Sequence, residues 1–154
     1  MVVSRFVSFR AFFGWSWVAS ATALACALAA CTSESKRQSA SLLGAVDRYR
    51  RASNEEKPAR VADIESVSVT EPEVVAAKAA CISAVTSSAA GLTKKRAVEI
   101  AVRRLERKEL APDSAEAQAL PLELDVASKL LDEGHAAMGR CEEQTDVLRK
   151  KYEL

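Results

Sequence analysis

From Leu124 to Tyr152 the apolar and small side chains recur at alternating spacings of three and four: Leu124, Ala127, Leu131, Gly134, Met138, Cys141, Thr145, Leu148 and Tyr152. That alternation returns to one face of an α-helix, so the run predicts one long helix with a single seam. Ala127 and Gly134 on the seam leave room for a partner helix to come close. A second periodic run follows Thr70-Glu71-Pro72-Glu73, which reads as a capping box with Pro in the first turn. Val74, Cys81, Val85 and Leu92 come next at spacings of seven, four and seven, flanked by Ile82, and Val98, Val102 and Leu105 extend the apolar side. Gly91 fits either a C-cap, with a new helix from Thr93, or a bend within one continuous helix.

The clearest turn in this half is Leu110-Ala111-Pro112-Asp113. Residues 71–109 and 114–152 are then two arms of 39 residues each. Asp113-Ser114-Ala115-Glu116 offers a cap for the return arm, and Pro121 is expected to kink or restart it. Upstream, Leu42, Val46 and Tyr49 predict one short amphipathic helix. Val61, Ile64 and Val67 predict another, entered through Asn54-Glu55-Glu56-Lys57-Pro58. No stretch alternates long enough for a strand, and Val67-Ser68-Val69 is too short to count. The expected fold is all-α: a long antiparallel helical hairpin with two short N-terminal helices packed as a small bundle. A chain of 154 residues has room for one such domain.

The first 30 residues differ in kind from the rest. They carry Arg5 and Arg10 and no acid, and Ala11 to Ala30 hold no charge at all. All four Phe and both Trp fall within the first 17 residues. From residue 31 onward 20 Lys and Arg face 21 Asp and Glu. A charged start, an apolar run and a small-residue ending are the parts of a secretory signal. The tetrapeptide Leu28-Ala29-Ala30-Cys31 resembles the lipobox of bacterial lipoprotein precursors. The resemblance implies that the Cys31 thiol carries diacylglycerol, that cleavage precedes it, and that the new amino terminus is acylated. Ala23-Leu24-Ala25-Cys26 is a weaker form of the same motif. On this reading residues 1–30 are the signal peptide, 31–40 the lipidated Cys with a polar tether, and 41–154 the helical domain. Thr32, where inner-membrane members of the class carry Asp, implies the outer membrane with the body facing the periplasm; the inner membrane is the alternative. An uncleaved single-pass anchor remains open, since about 20 apolar residues span a bilayer. Either way residues 32–154 lie outside the cytoplasm.

Four cysteines then sort themselves. Cleavage removes Cys26 and lipidation takes Cys31, leaving Cys81 and Cys141 as an even pair in an oxidising compartment. Their midpoint is residue 111, beside the predicted turn, so they face each other across an antiparallel hairpin. A Cys81–Cys141 disulfide is expected, with two buried free thiols as the alternative. The single histidine, His135, is six residues from Cys141, a spacing that does not share a helical face, so no metal site is inferred.

Charge agrees with the hairpin. Lys94 to Glu109 holds seven basic and three acidic residues, and Asp113 to Glu143 holds eight acids against Lys129 and Arg140. Folding at Pro112 brings the blocks together. Catalysis lacks its parts: there is no Gly-x-Ser-x-Gly, no phosphate-binding Gly loop, and the adjacent carboxylates Asp132-Glu133 and Glu142-Glu143 point apart on a helix. The basic segment has no interleaved aromatics for nucleic-acid stacking. Neither an enzymatic role, a cofactor nor a small-molecule substrate is therefore expected. The expected function is that of a membrane-anchored periplasmic lipoprotein, held to the bilayer through acylated Cys31 and contacting an envelope protein as an interaction or assembly module. In size, lipidation, helical content and single disulfide it is similar to secretin pilotins, without a shared residue motif. The alternatives are a structural envelope protein whose basic segment binds an anionic cell-surface polymer, and a single-pass anchored helical protein.

Overall fold

In the computed structural model the backbone is described from Ser16 and side-chain environments from Glu34. Four helices follow one another: α1 (Ser16–Arg51), α2 (Lys57–Glu65), α3 (Pro72–Glu106) and α4 (Ala115–Tyr152). No strand occurs among the described residues. The long antiparallel hairpin is α3 with α4, arms of 35 and 38 residues where the turn at Pro112 predicts 39 each. The compact body begins at Ser35.

The predicted seam of α4 is buried at Ala127, Gly134, Cys141, Thr145, Leu148 and Tyr152, with Leu131 and Met138 half-buried. The main core gathers Leu42, Ala45, Val46 and Tyr49 of α1, Ile64 of α2, Val74 to Val85 of α3, and Ala137 to Tyr152 of α4. Both aromatic residues of the body, Tyr49 and Tyr152, are buried in it. By length and composition α3 would cross a membrane, yet Val74, Ala77, Cys81, Ala84 and Val85 are wholly covered by the bundle.

Several sequence expectations change in detail. The segment Thr32–Ser39 was expected as a polar tether, but it is part of the continuous α1, and Ser35, Gln38 and Ser39 are buried. Accordingly the first N-terminal helix is not short: Leu42, Val46 and Tyr49 occupy the last turns of a 36-residue helix. Polarity misled here because Gln38 is buried for its hydrogen bonds. Its Oε1 accepts from the Thr70 and Glu71 amides at 2.8 and 3.2 Å, and its Nε2 donates to the Thr70 hydroxyl at 2.9 Å. Those amides belong to the approach of α3, so Gln38 does the work assigned to the capping box. Glu71 is the actual N-cap residue and makes no side-chain cap bond, while Glu73 points to the end of α4. Ser114, by contrast, caps α4 as expected by accepting from the Ala117 amide at 3.2 Å. Pro121 lies inside α4 without ending it; past the first turn, its missing N–H forfeits one backbone hydrogen bond.

Gly91 neither caps nor breaks α3, which runs through it. Its role is steric. A Cβ there would stand 2.8 Å from Leu131 Cγ and 3.0 Å from the Ala127 carbonyl oxygen. Gly134 on the opposite arm is tighter still, because an added Cβ would meet the Ser88 amide nitrogen at 2.7 Å and its Cα at 3.0 Å. Backbone atoms cannot swing aside, so the two glycines set how closely α3 and α4 approach. Gly139 has open space where its Cβ would be. Gly134→Ala is therefore expected to destabilise the bundle by about 1–3 kcal/mol through overpacking, whereas Gly139→Ala stabilises it by about 1 kcal/mol through helix propensity. Urea denaturation of the two variants checks the opposite signs.

Candidate functional site

Cys81 comes from the first third of α3 and Cys141 from the last third of α4. Both are fully buried, their Cα atoms are 4.5 Å apart and their sulfurs 2.00 Å apart, which is disulfide distance. The pair stands where the hairpin symmetry put it. A bond there closes a loop of 60 residues, for which chain entropy gives about 4 kcal/mol.

Toward the base, polar contacts tie the chain ends together. Lys78 donates to the carbonyls of Glu65 and Val67 at 2.6 and 2.7 Å, satisfying the end of α2. At the same end of the hairpin, Lys151 and the Tyr152 hydroxyl both donate to Glu73. These bonds, Lys151 first, hold the Glu73 carboxyl below its ordinary range, and the same carboxylate holds Lys151 above its own. Arg149 pairs with Asp47 at 3.0 Å and Arg50 with Glu142 at 3.1 Å, so the C-terminal end of α1 is joined to α4. Burial pushes the Tyr49 phenol up, with its hydroxyl 3.4 Å from the Val85 carbonyl.

The other half of the hairpin is built differently. No member of the main core lies between residues 86 and 136. Burial there falls to a narrow line of mostly small residues: Ala89, Gly91, Val98, Ala101, Leu110, Ala127 and Gly134. The larger apolar side chains sit beside that line. Ile100, Leu122, Leu124 and Val126 are 46, 66, 45 and 37% exposed. Leu124, expected to open the buried seam, is thus a flank residue. On one side of this distal half a groove of about 250 Å³ is lined by Ala97, Val98, Ala101, Ala119 and Leu120, with Lys94, Glu116 and Glu123 at its edges.

A second cleft, also about 250 Å³, lies where the α1–α2 turn meets α3, with Asn54 and Glu55 opposite Lys95, Arg96 and Arg103. The expected match of basic and acidic arms is realised by Lys94 with Glu123 at 2.5 Å and Arg104 with Glu116 at 2.6 Å. Lys95, Arg96 and Arg103 make no ion pair among the described residues. His135 is exposed on α4, away from the seam. Among the described residues no three His, Cys, Asp or Glu gather closely enough to hold a metal.

The lipobox Leu28-Ala29-Ala30-Cys31 lies on the α1 backbone, outside the residues whose side chains are described, and the charged start with Arg5 and Arg10 lies outside the described residues altogether. The exposed stripe of Ile100, Leu122 and Val126 was missed by the sequence reading. Its signal is present: Ala115, Ala119, Leu122 and Val126 recur at four, three and four, a second apolar line on α4 beside the seam. Compared with family models, curated proteins and solved structures, the chain matches none.

Two measurements follow from these contacts. Cys81→Ala and Cys141→Ala are each expected to lower stability by up to about 4 kcal/mol, and the double variant by little more than either; additive losses in thermal unfolding count against a shared bond. Glu73 contributes stability that is complete above the ordinary glutamate value of 4.5 and is lost as pH falls through its lowered folded-state value. Glu73→Gln should flatten that acid limb in denaturation midpoints recorded against pH.

Proposed function

We propose that this chain is a lipid-anchored helical module that works outside the cytoplasm by contact with another protein. The observation that carries the contact reading is the distal half of the hairpin. Its α3 and α4 share only a thin line of small residues, while Ile100, Leu122 and Val126 are left on the outside. A helix pair of this kind leaves large apolar side chains exposed on both arms, and exposed apolar surface marks interaction sites.

The leader supports the anchor. Arg5 and Arg10, the uncharged run and Leu28-Ala29-Ala30-Cys31 fit a lipoprotein precursor, and the Cys81–Cys141 pair at disulfide distance suits an oxidising compartment. With several acyl chains on Cys31 the attachment would be stable. Packing begins at Ser35, only four residues beyond Cys31, and four residues span at most about 14 Å. The lipid would thus hold the body close to the membrane, without a long tether. Thr32 favours the outer membrane and a periplasm-facing body, with the inner membrane as the alternative. The partner on this reading is an envelope protein, and the module does no chemistry of its own.

One further observation favours a second reading. Lys95, Arg96 and Arg103 line a cleft together with Glu55 and Glu99, which leaves it one net positive charge and suits an anionic cell-surface polymer. Salt separates the two, because polymer binding through the cleft's cations weakens with ionic strength while apolar contact does not.

Cys31→Ser is expected to move the chain from the membrane to the soluble extracytoplasmic fraction. Continued acylation and processing of that variant would place the modification elsewhere. In cells, cross-links from the distal hairpin to a protein partner should be lost in Leu122→Glu and kept in the remote Glu143→Gln; equal loss or equal retention in both removes the hairpin as the contact surface.

A further inference from the structure

The main core stops at one level on both arms of the hairpin. Its last members toward the turn are Val85 on α3 and Ala137 on α4. Cys81 and Cys141 lie four residues inside those edges, about one helical turn on each arm. Just outside the edges stand weak helix formers: Ser87, Ser88 and Gly91 on α3, and Gly134 on α4 directly against Ser88. On each arm the cysteine, the end of the core and the weak stretch therefore fall within about three turns.

The two sides of this level differ in what holds them. Toward the base, Leu42, Val46, Ile64, Val74, Val85 and Leu148 are wholly buried and come from all four helices. Gln38, Lys78 and Glu73 tie the same end together through hydrogen bonds. Beyond the level, α3 and α4 share Ala89, Val98, Ala101 and Ala127, while Ile100, Leu122 and Val126 remain exposed. The ion pairs across the arms, Lys94–Glu123 and Arg104–Glu116, are roughly half exposed and hold weakly in water. Asn54 and Glu55 of the α1–α2 turn approach α3 across an open cleft. Few buried apolar contacts mean a low free energy of local opening.

We propose that the distal hairpin, from Gly91 through the turn to Leu131, opens and recloses as a unit while the base stays folded. The helices give way at Ser87–Gly91 and at Gly134, where both arms are weakest at the same level. With Cys81 bonded to Cys141, opening leaves the basal part of α4 fixed to α3 and both distal arms held at their roots. The proposal deepens the contact reading of the distal half and rests on it for what the opening serves. Opening bares Val98, Ala101 and Ala127, which the closed hairpin buries, beside the Ile100, Leu122 and Val126 that it already shows.

The test is amide hydrogen exchange of the full membrane-extracted chain in detergent, without a partner, alongside the double variant Cys81→Ala, Cys141→Ala. In the wild type, the amides of Lys95–Leu105 and Leu122–Ala127 are expected to be protected at least about 100-fold less than those of Ala77–Val85 and Cys141–Leu148. In the variant, the basal amides should lose at least about tenfold in protection while the distal amides keep their rates, because only the base depends on the cross-link. Equal protection of both halves in the wild type overturns the proposal, as does a parallel loss in both halves of the variant. Circular dichroism shows whether the variant folds; if it does not, the wild-type pattern alone decides. Equal protection with cross-links from the distal hairpin intact overturns the opening and leaves the contact reading standing. Two levels of protection without any such cross-link uphold the opening and overturn the contact reading.

Discussion

Everything in this bundle follows from how closely α3 and α4 approach. Gly91 against Leu131 and Gly134 against Ser88 leave no space for a Cβ, and Cys81 and Cys141 face each other with Cα atoms 4.5 Å apart. A seam that narrow admits alanine, glycine and cysteine and expels anything larger to its flanks. In the basal half α1 and α2 cover those flanks, so Leu42, Val46, Tyr49 and Ile64 complete a core. In the distal half the same geometry leaves Ile100, Leu122 and Val126 on the outside and exposed. One constraint yields a stable base and an unsatisfied tip.

The thin core is supplemented by long-range joints. A covalent bond between Cys81 and Cys141 would restrict the unfolded chain over 60 residues, a gain that does not depend on the amount of apolar burial. Gln38 satisfies the amides entering α3, Lys78 the carbonyls leaving α2, and Glu73 anchors the end of α4. Each joins segments distant in sequence, and each spans a point where a helix leaves backbone groups without an internal partner. Surface ion pairs such as Arg104–Glu116 add at most about 1 kcal/mol each and chiefly select the antiparallel register.

The periodic features of the fold were legible from residue spacing alone. The α4 seam, the turn at Pro112, the Ser114 cap and the cysteine register all depend on local pattern and hairpin symmetry. What could not be read depends on a partner segment. Thr32–Ser39 looks like a tether because its side chains are polar, and only the presence of Thr70 and Glu71 beside Gln38 explains why that residue is buried. Thr70-Glu71-Pro72-Glu73 has the composition of a capping box, but Lys151 and Tyr152 take Glu73 away from that role. Gly91 has the same identity as a helix terminator and serves as a contact surface, a distinction made by Leu131 on the other arm. The exposed stripe at Leu122 and Val126 was hidden by the stronger seam beside it.

Anchor, cross-link and hairpin combine into one account: the proposed lipid on Cys31 fixes the chain to a membrane, the cysteine pair locks the hairpin, and the distal half is presented for contact. Intact mass of the membrane-extracted chain, with and without reductant, tests this most directly. The account predicts a chain beginning at Cys31 with added acyl mass, which gains two hydrogens on reduction as Cys81 and Cys141 are released. A chain that retains residues 1–30 without acyl mass, or one whose mass is unchanged by reductant, contradicts it.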